Sequence, residues 1–418
     1  MNNDTGHSSS MTPGFRPVQM SGVIYVTTEA GKRGFGNGDA SWANLGQGAP
    51  EVRPEGQEIP VLGKTSEYGP VSGIKDLREA VARLYNELFR KGKSSQYTAE
   101  NVAISNGGRL ALARIAAALG EVNVGHFIPD YTAYEELLTV FKAFTPIPIP
   151  LSPEKCYAIS AEELREKVRT LGLAAFLISN PSNPSGAVVR GEELKKWVAV
   201  SREEKCSAIF DEFYSHYLYE NPEGKEVNAF SAAEYVEDVN ADPVVIVDGL
   251  TKGWRLPGWR VSWTVGPASV IEAITSAGSF LDGGATHPLS NAAIPLLAPE
   301  KVKQDIAELQ ELFSKKRSYM IERLQKMGIT VPCVPQGAFY CWADLSNLPA
   351  PLNDGMKFFE AGLEEKVITV PGEFFDVNPG KRRRNSAYKH YARIGFGPTM
   401  EEITRGLDAL ERVIQKQR

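Results

Sequence analysis

The chain has 418 residues, 42% of them hydrophobic, which is enough to bury a large core and to divide into one large and one smaller domain. Its 46 basic and 51 acidic residues nearly cancel, so bulk charge argues against nucleic acid or a membrane surface as partner. No apolar run approaches the roughly 20 residues of a membrane span, and the opening MNNDTGHSSS lacks the basic and apolar regions of a signal peptide. These features suggest a soluble, cytoplasmic protein. Cys156, Cys206, Cys333 and Cys341 show no CxxC or CxH spacing, so we expect buried small hydrophobes in a reducing cytosol rather than a metal or redox site.

In chain order, the polar residues 1–20 are expected to be disordered. Leu77, Val81, Leu84 and Leu88 then recur on one helical face. Strand-like apolar runs follow at Val102–Ser105, His126–Ile128, Ala174–Ser179, Ala208–Asp211, Val244–Asp248 and Val261–Val265, with helix patterns between them. One of those helices opens with a capping box at Ser160 and Glu163. After about residue 296 the texture changes. A long helix marked by Val302, Ile306, Leu309, Phe313 and Leu324 ends at Gly328, shorter strands follow, and a last helix opens with a capping box at Thr399 and Glu402. The alternation predicts an α/β fold: a large domain, 61–296, with a mainly parallel sheet flanked by helices, and a smaller α+β domain, 297–418. The segment 21–60 is expected to pack on the small domain and on the site entrance.

Chemistry collects where strands end, which is where open α/β sheets place ligands. In "ISNGGRLALARIAAALG", Gly107 and Gly108 stand between a strand and a helix. Free backbone N–H groups there suit a phosphate, although two glycines also make an ordinary turn. In "FLISNPSNPSGAVV", Asn183 and Pro184 fix a turn that either aims an amide side chain or has no further role. In "SAIFDEFYSHYLY", Asp211 ends an apolar strand with Tyr214 three residues on. A carboxylate there either caps a helix or meets a cationic group that compensates its burial. In "VDGLTKGWRLPGWRVSW", Gly253, Pro257 and Gly258 turn the chain sharply between Lys252 and Arg260. Arginines and apolar neighbours disfavour the charged form of Lys252 and make a neutral, nucleophilic amine accessible; the alternative is a surface lysine.

The order of these motifs, with "SNPSNPSG", "TKGWRLPGWR" and the late "YARIGFG", resembles the fold-type I pyridoxal 5′-phosphate (PLP) enzymes, and within them the class I/II aminotransferases related to aspartate aminotransferase. The resemblance runs from about Leu45 to the C-terminus. It implies that Lys252 holds PLP as a Schiff base and later shuttles a proton, with Asp211 facing the pyridine nitrogen. It implies that Asn183 and Tyr214 hydrogen-bond the phenolic oxygen, and that Gly107, Gly108, Arg109, Thr251 and Arg260 surround the phosphate. By the same resemblance Tyr131 stacks on the ring, and Tyr68 reaches the phosphate of a neighbouring subunit in a homodimer with shared sites. Arg393, with Asn183 and the Gly48 amide, is implied to grip the substrate α-carboxylate.

The activity so implied is ping-pong transfer of an amino group from an L-amino acid to a 2-oxo acid. The alternative keeps the cofactor and changes the outcome: a PLP-dependent lyase, cyclase or oxidase acting on an amino acid in specialised metabolism. A PLP-fold sensing module of a transcription regulator is disfavoured, because no helix-turn-helix pattern precedes residue 45. Gly249 stands where relatives often carry a phosphate-binding serine, a task that falls to Thr251 or another hydroxyl. "SFLDGGATHPLSN" offers no arginine for a side-chain carboxylate, which argues against aspartate or glutamate as the specific donor. The same loop presents Asp282, Thr286 and His287. Asp282 either pairs with a cationic substrate or forms a turn, and His287 is either a second acid/base group or a residue satisfied by backbone. Phe35 and Asn37 are candidates for shaping the pocket, Arg255 is expected to be structural, and the basic run Lys381 to Arg384 reads as a solvated loop.

Overall fold

The computed structural model describes residues 22–36, 38–51, 67–221, 224–225 and 227–417. The expectation for residues 1–20 and the pocket-shaping candidate Asn37 lie outside them. In chain order the regular elements are α1 (Gly22–Gly31), β1 (Ala43–Asn44), α2 (Lys75–Phe89), β2 (Val102–Ser105), α3 (Gly108–Ala118), β3 (Asn123–Ile128), α4 (Ala133–Val140) and β4 (Thr145–Pro150). Next come α5 (Ala161–Leu171), β5 (Leu173–Ser179), α6 (Gly191–Glu204), β6 (Ser207–Asp211), β7 (Val244–Gly249), β8 (Ser262–Val265), α7 (Ala268–Leu281) and α8 (His287–Ala293). The chain finishes with α9 (Pro299–Lys326), β9 (Tyr340–Asp344), α10 (Gly355–Glu364), β10 (Val367–Ile368), β11 (Val370–Pro371), β12 (Tyr391–Gly395) and α11 (Met400–Gln415).

Seven strands form one twisted sheet in the order β2-β8-β7-β6-β5-β3-β4. Only β8 runs antiparallel to its neighbours, β2 and β7; every other pairing is parallel. The central strands are apolar along their whole length because helices cover both faces: α3 packs against α7, and α5 against α6. The carboxyl ends of the parallel strands therefore open at one edge, and Asp211 at the end of β6 marks it. On α2, Leu77, Val81 and Leu84 are buried and Leu88 packs beside them.

β4 has no counterpart among the strands expected from the sequence. Its sequence, TPIPIP, carries proline at every second position, which removes ladder donors and masks the strand signal. At the sheet edge the loss is tolerated, because β3 is the one strand β4 must pair with.

A second, antiparallel sheet has the order β11-β12-β9, and the short parallel pair of β1 and β10 joins the N-terminal segment to the C-terminal part of the chain. α9 buries Val302, Ile306, Leu309, Phe313 and Leu324, and Gly328 turns the chain beyond it at φ 85°. Ser160 and Glu163 form the reciprocal cap of α5. At α11 only half of the expected box forms. Thr399 accepts the Glu402 N–H, while the Glu402 carboxylate instead accepts the Asn44 N–H at 2.8 Å and so ties α11 to β1.

Two cysteines depart from expectation. Cys156 and Cys333 form a disulfide across 177 residues, with Cα atoms 5.3 Å apart. Sequence spacing conceals it, because the turn after β4 meets the loop before β9 only in the folded chain. Cys206 and Cys341 are free and buried, as small hydrophobes. The basic run is a solvated loop, as expected: Lys381, Arg382 and Arg384 are exposed, with Lys381 paired to Glu135 and Arg383 to Asp376.

Candidate active site

The strand ends of the large sheet and the face of the small sheet enclose a cavity of about 430 Å³. Gly48, Gly108, Arg109, Tyr131, Asn183, Asp211, Tyr214, Thr251, Lys252, Arg260 and Arg393 all line it. Gly107 borders it as the N-cap of α3. Tyr68, the remaining residue implied to contact the cofactor, stands apart, fully exposed on the outside of the chain.

Lys252 follows β7 in a tight turn whose main chain is pinned by the Tyr217 hydroxyl, which donates to the Lys252 carbonyl at 2.8 Å. Its ammonium donates to the Gly48 carbonyl. Gly48 thus offers this lysine its carbonyl oxygen, a contact separate from the amide implied for the substrate. Burial lowers the Lys252 pKa to about 7, helped by Arg393, Arg109 and Arg260 and opposed by Asp211. Asp211 is buried and accepts the Tyr134 hydroxyl proton at 2.7 Å; burial pushes its pKa up to about 6.

At the start of α3 the first N–H groups, those of Gly108 and Arg109, have no preceding helical carbonyl to bind. Gly107 adopts φ 88°, and a Cβ there would lie 1.9 Å from the Arg260 guanidinium; one on Gly108 would lie 2.4 Å from the Phe213 ring. Only glycines allow Arg260 and Phe213 to close around these amides, and the result is a small cationic cradle. The Arg109 side chain turns to the Tyr131 hydroxyl, 3.2 Å away. At Gly249 a Cβ would lie 2.6 Å from the Val261 carbonyl oxygen just before β8, so no side chain fits there, and Thr251 is the nearby hydroxyl on the cavity.

The opposite wall comes from the small sheet. Arg393 on β12 pairs in register with Trp342 and lies diagonal to Tyr340 on β9, so all three share one face. The Arg393 guanidinium lies over the Tyr340 ring at 4.1 Å and near Phe375 at 5.0 Å. It donates to Asn183 Oδ1 at 2.8 Å and to the Gly46 carbonyl at 2.6 Å, while its Nε has no partner. Arg393 is fully buried, and among the described residues no carboxylate pairs with it. Asn183 Nδ2 meets the Tyr214 hydroxyl at 3.4 Å, and the Tyr214 and Tyr340 hydroxyls are 2.9 Å apart.

Sequence reasoning missed Tyr134 and Tyr340. Tyr134 had a faint signal, one helical turn beyond Tyr131; Tyr340 had none, because its contacts are made 126 residues away. The loop 280–291 holds no free functional group of the kind its sequence allowed. Asp282 forms a bidentate, buried ion pair with Arg114 at 2.6 and 3.1 Å, so it is not available to a cationic substrate. Thr286 donates to Asn106 Oδ1 at 2.9 Å, and a His287 ring nitrogen lies 3.2 Å from the Glu67 carbonyl. Phe35 packs edge-on against Trp42 at 5.6 Å and does not line the cavity; Val23, Ile24 and Thr27 of α1 do. Arg255 lies 3.9 Å from Glu51, a structural ion pair.

Residues 34–410 match the aminotransferase class I and II family. The chain belongs to that family. It is 28% identical over 357 residues to the aspartate/prephenate aminotransferase of Thermus thermophilus, covering 84% of each chain. In structure it is similar to the aspartate aminotransferase of Thermotoga maritima, at 25% identity, TM-score 0.77, 95% of this chain and 98% of the other. It has the fold of the Thermus thermophilus aspartate aminotransferase solved with maleate, at 23% identity, TM-score 0.79, 96% of this chain and all of the other. The protein is a PLP-dependent aminotransferase, acting on amino and 2-oxo acids, and the lyase, cyclase and oxidase readings are not favoured. The residues present fit the cofactor. The cradle at Gly107 and Gly108 closes to any side chain, and the buried Arg393 guanidinium lacks an anion.

Proposed function

We propose that Lys252 is the residue to which PLP is bound and the proton carrier of the transfer, and that Arg393 receives the α-carboxylate of an L-amino acid. The observation that carries this reading is the convergence of Lys252, Asp211, Arg260 and a carboxylate-free, buried Arg393 on one cavity. Bound PLP supplies an aldehyde that condenses with amines and a ring that accepts electrons from the substrate α-carbon. Gly108, Arg109 and Arg260 bind the phosphate, with Thr251 as the hydroxyl available where Gly249 provides none. Asp211 holds a proton at the pyridine nitrogen, and that cation offsets the cost of its burial. Asn183 and Tyr214 orient the phenolic oxygen, and Tyr131 covers the ring face.

A neutral Lys252 amine is within reach at neutral pH, so this nitrogen would serve both as the nucleophile that holds the cofactor and as the base for the substrate α-proton. Arg393 offers its free edge to the carboxylate, and Asn183 fixes the guanidinium plane. The relatives act on aspartate or prephenate by name. For this chain an acidic side chain is not assumed, since Asp282 and Arg114 satisfy each other and the loop 280–291 carries no arginine.

We further propose a cytoplasmic homodimer. Tyr68 and Phe280 are 101% and 74% exposed, and the turn at Gly284, just beyond Phe280, packs against Pro70 and Val71, just beyond Tyr68. A second copy would cover both aromatics and bring Tyr68 to the neighbouring phosphate. The division into 61–296 and 297–418, with 21–60 on the smaller unit, belongs to the same proposal. Among the described residues no helix is long and apolar enough to cross a membrane.

A spectroscopic screen of amino acids against the PLP-loaded protein tests the reading. The expected result is conversion to the pyridoxamine form by a subset of L-amino acids and its reversal by a 2-oxo acid. Oxygen uptake, or loss of a side-chain group with no acceptor present, would contradict it.

A further inference from the structure

We propose that Asp130 is a positioning residue, which sets Tyr131 and Asn183 against each other across the cofactor site. The proposal rests on the roles given above to those two residues and adds the group that aligns them.

Asp130 lies between β3 and α4 and is 2% exposed. Its Oδ1 accepts the Tyr131 N–H at 2.7 Å and the Ser179 hydroxyl at 2.5 Å, and its Oδ2 accepts the Ser179 N–H at 3.4 Å. Ser179 Oγ in turn accepts the Asn183 N–H at 3.1 Å. One carboxylate therefore ties the start of the Tyr131 segment, at the end of β3, to the Asn183 turn after β5. Its own N–H donates to the Phe375 carbonyl at 3.1 Å, and the Phe375 ring flanks Arg393. The residue thus touches the supports of the ring-covering tyrosine, of the phenolic-oxygen amide and of the carboxylate-binding arginine.

A bland capping role accounts for the Tyr131 contact alone. It does not account for the two bonds to Ser179, 49 residues away, nor for their continuation to Asn183. Among the described residues no lysine or arginine pairs with Asp130, so its burial is offset only by these donors, and burial pushes its pKa up to about 8. A leucine would fill the space at lower desolvation cost; what it would lose is the alignment of two strand ends, those of β3 and β5.

The test compares Asp130→Asn, Asp130→Ala and Ser179→Ala with the native chain by titrating cofactor-free protein with PLP. The readouts are the dissociation constant and the pH midpoint of the visible band of bound cofactor, which a purely structural role would leave in place. Asp130→Ala is expected to raise the dissociation constant about tenfold or more and to move the midpoint, since it removes hydrogen bonds from three buried donors. Asp130→Asn keeps an oxygen for Tyr131 and Ser179 and should return to within about threefold of native, with Ser179→Ala intermediate. An unmoved constant and midpoint in Asp130→Ala, or an Asn variant no better than the Ala variant, overturns the proposal. If Asp130→Ala does not fold, Asp130→Asn and Ser179→Ala decide it: native behaviour in Ser179→Ala refutes the link to Asn183. A native chain that binds no PLP at Lys252 would refute the underlying reading instead, so the two failures are distinct.

Discussion

The two walls of the cavity are built on opposite principles. The large-sheet wall ties its buried carboxylates to neutral donors: Asp211 holds Tyr134, Asp130 holds Ser179, and the Gly107–Gly108 cradle closes against Arg260. The small-sheet wall leaves one charge open, the buried Arg393, packed over Tyr340 and bonded only to an amide and a carbonyl. The first wall is suited to a resident group that arrives once, the second to an anion that comes and goes with each turnover. Charged side chains are rarely buried without an opposite charge, and in the proposed reading this difference divides a cofactor end from a substrate end.

That separation can be broken from either side. Asp211→Ala should strike the cofactor end: PLP retention falls and the α-proton step slows by about 10²–10³-fold, as expected for loss of a preorganised charge. Turnover within a few fold of native would remove Asp211 from the pyridine nitrogen. Arg393→Gln should strike the substrate end and spare the cofactor. It is expected to lower kcat/KM by about 10²-fold, mainly through KM, at unchanged PLP affinity, because a charge-assisted contact contributes about 2–3 kcal/mol. Equal losses of cofactor and substrate binding would mean that the walls are not separable.

Asp282→Ala sharpens the contrast by leaving both walls alone. It strands the buried Arg114 charge and should cost about 3–5 kcal/mol of stability, read by denaturant unfolding. The order of amino-acid preference should stay as in the native chain; a selective loss of cationic substrates would return Asp282 to the site.

The remaining contrast is in pH dependence. In the cofactor-free protein Lys252 titrates near 7 rather than at the ordinary 10.5. Between those values the unfolded chain holds a proton that the folded chain lacks, so this group's contribution makes stability rise with pH across that window. The difference in unfolding free energy between native and Lys252→Met protein, followed from pH 6 to 11, should show the rise; a flat difference would place the lysine in water.

What was readable in the sequence tracks these walls. Lys252, Asp211, Asn183, Arg260 and the Gly107–Gly108 turn sit in short segments at strand ends, where residue type and local turn chemistry carry the signal. Tyr340 has no such local mark and Tyr134 only a faint one, since their meaning comes from Arg393, Tyr214 and Asp211 across the fold. β4 was hidden by its prolines, and the Cys156–Cys333 disulfide by a separation of 177 residues. Asp282 read as a turn former or a substrate contact because Arg114, 168 residues earlier, pairs with it only in three dimensions. Local chemistry is legible in one dimension; compensation of charge between distant segments is not.

Borohydride reduction of the PLP-loaded protein, followed by peptide mapping, tests whether Lys252 is the residue to which the cofactor is bound. One modified lysine, Lys252, is expected, with no trapped cofactor in Lys252→Ala. A pyridoxyl group on another lysine in undiminished yield, with Lys252 unmodified, would contradict it.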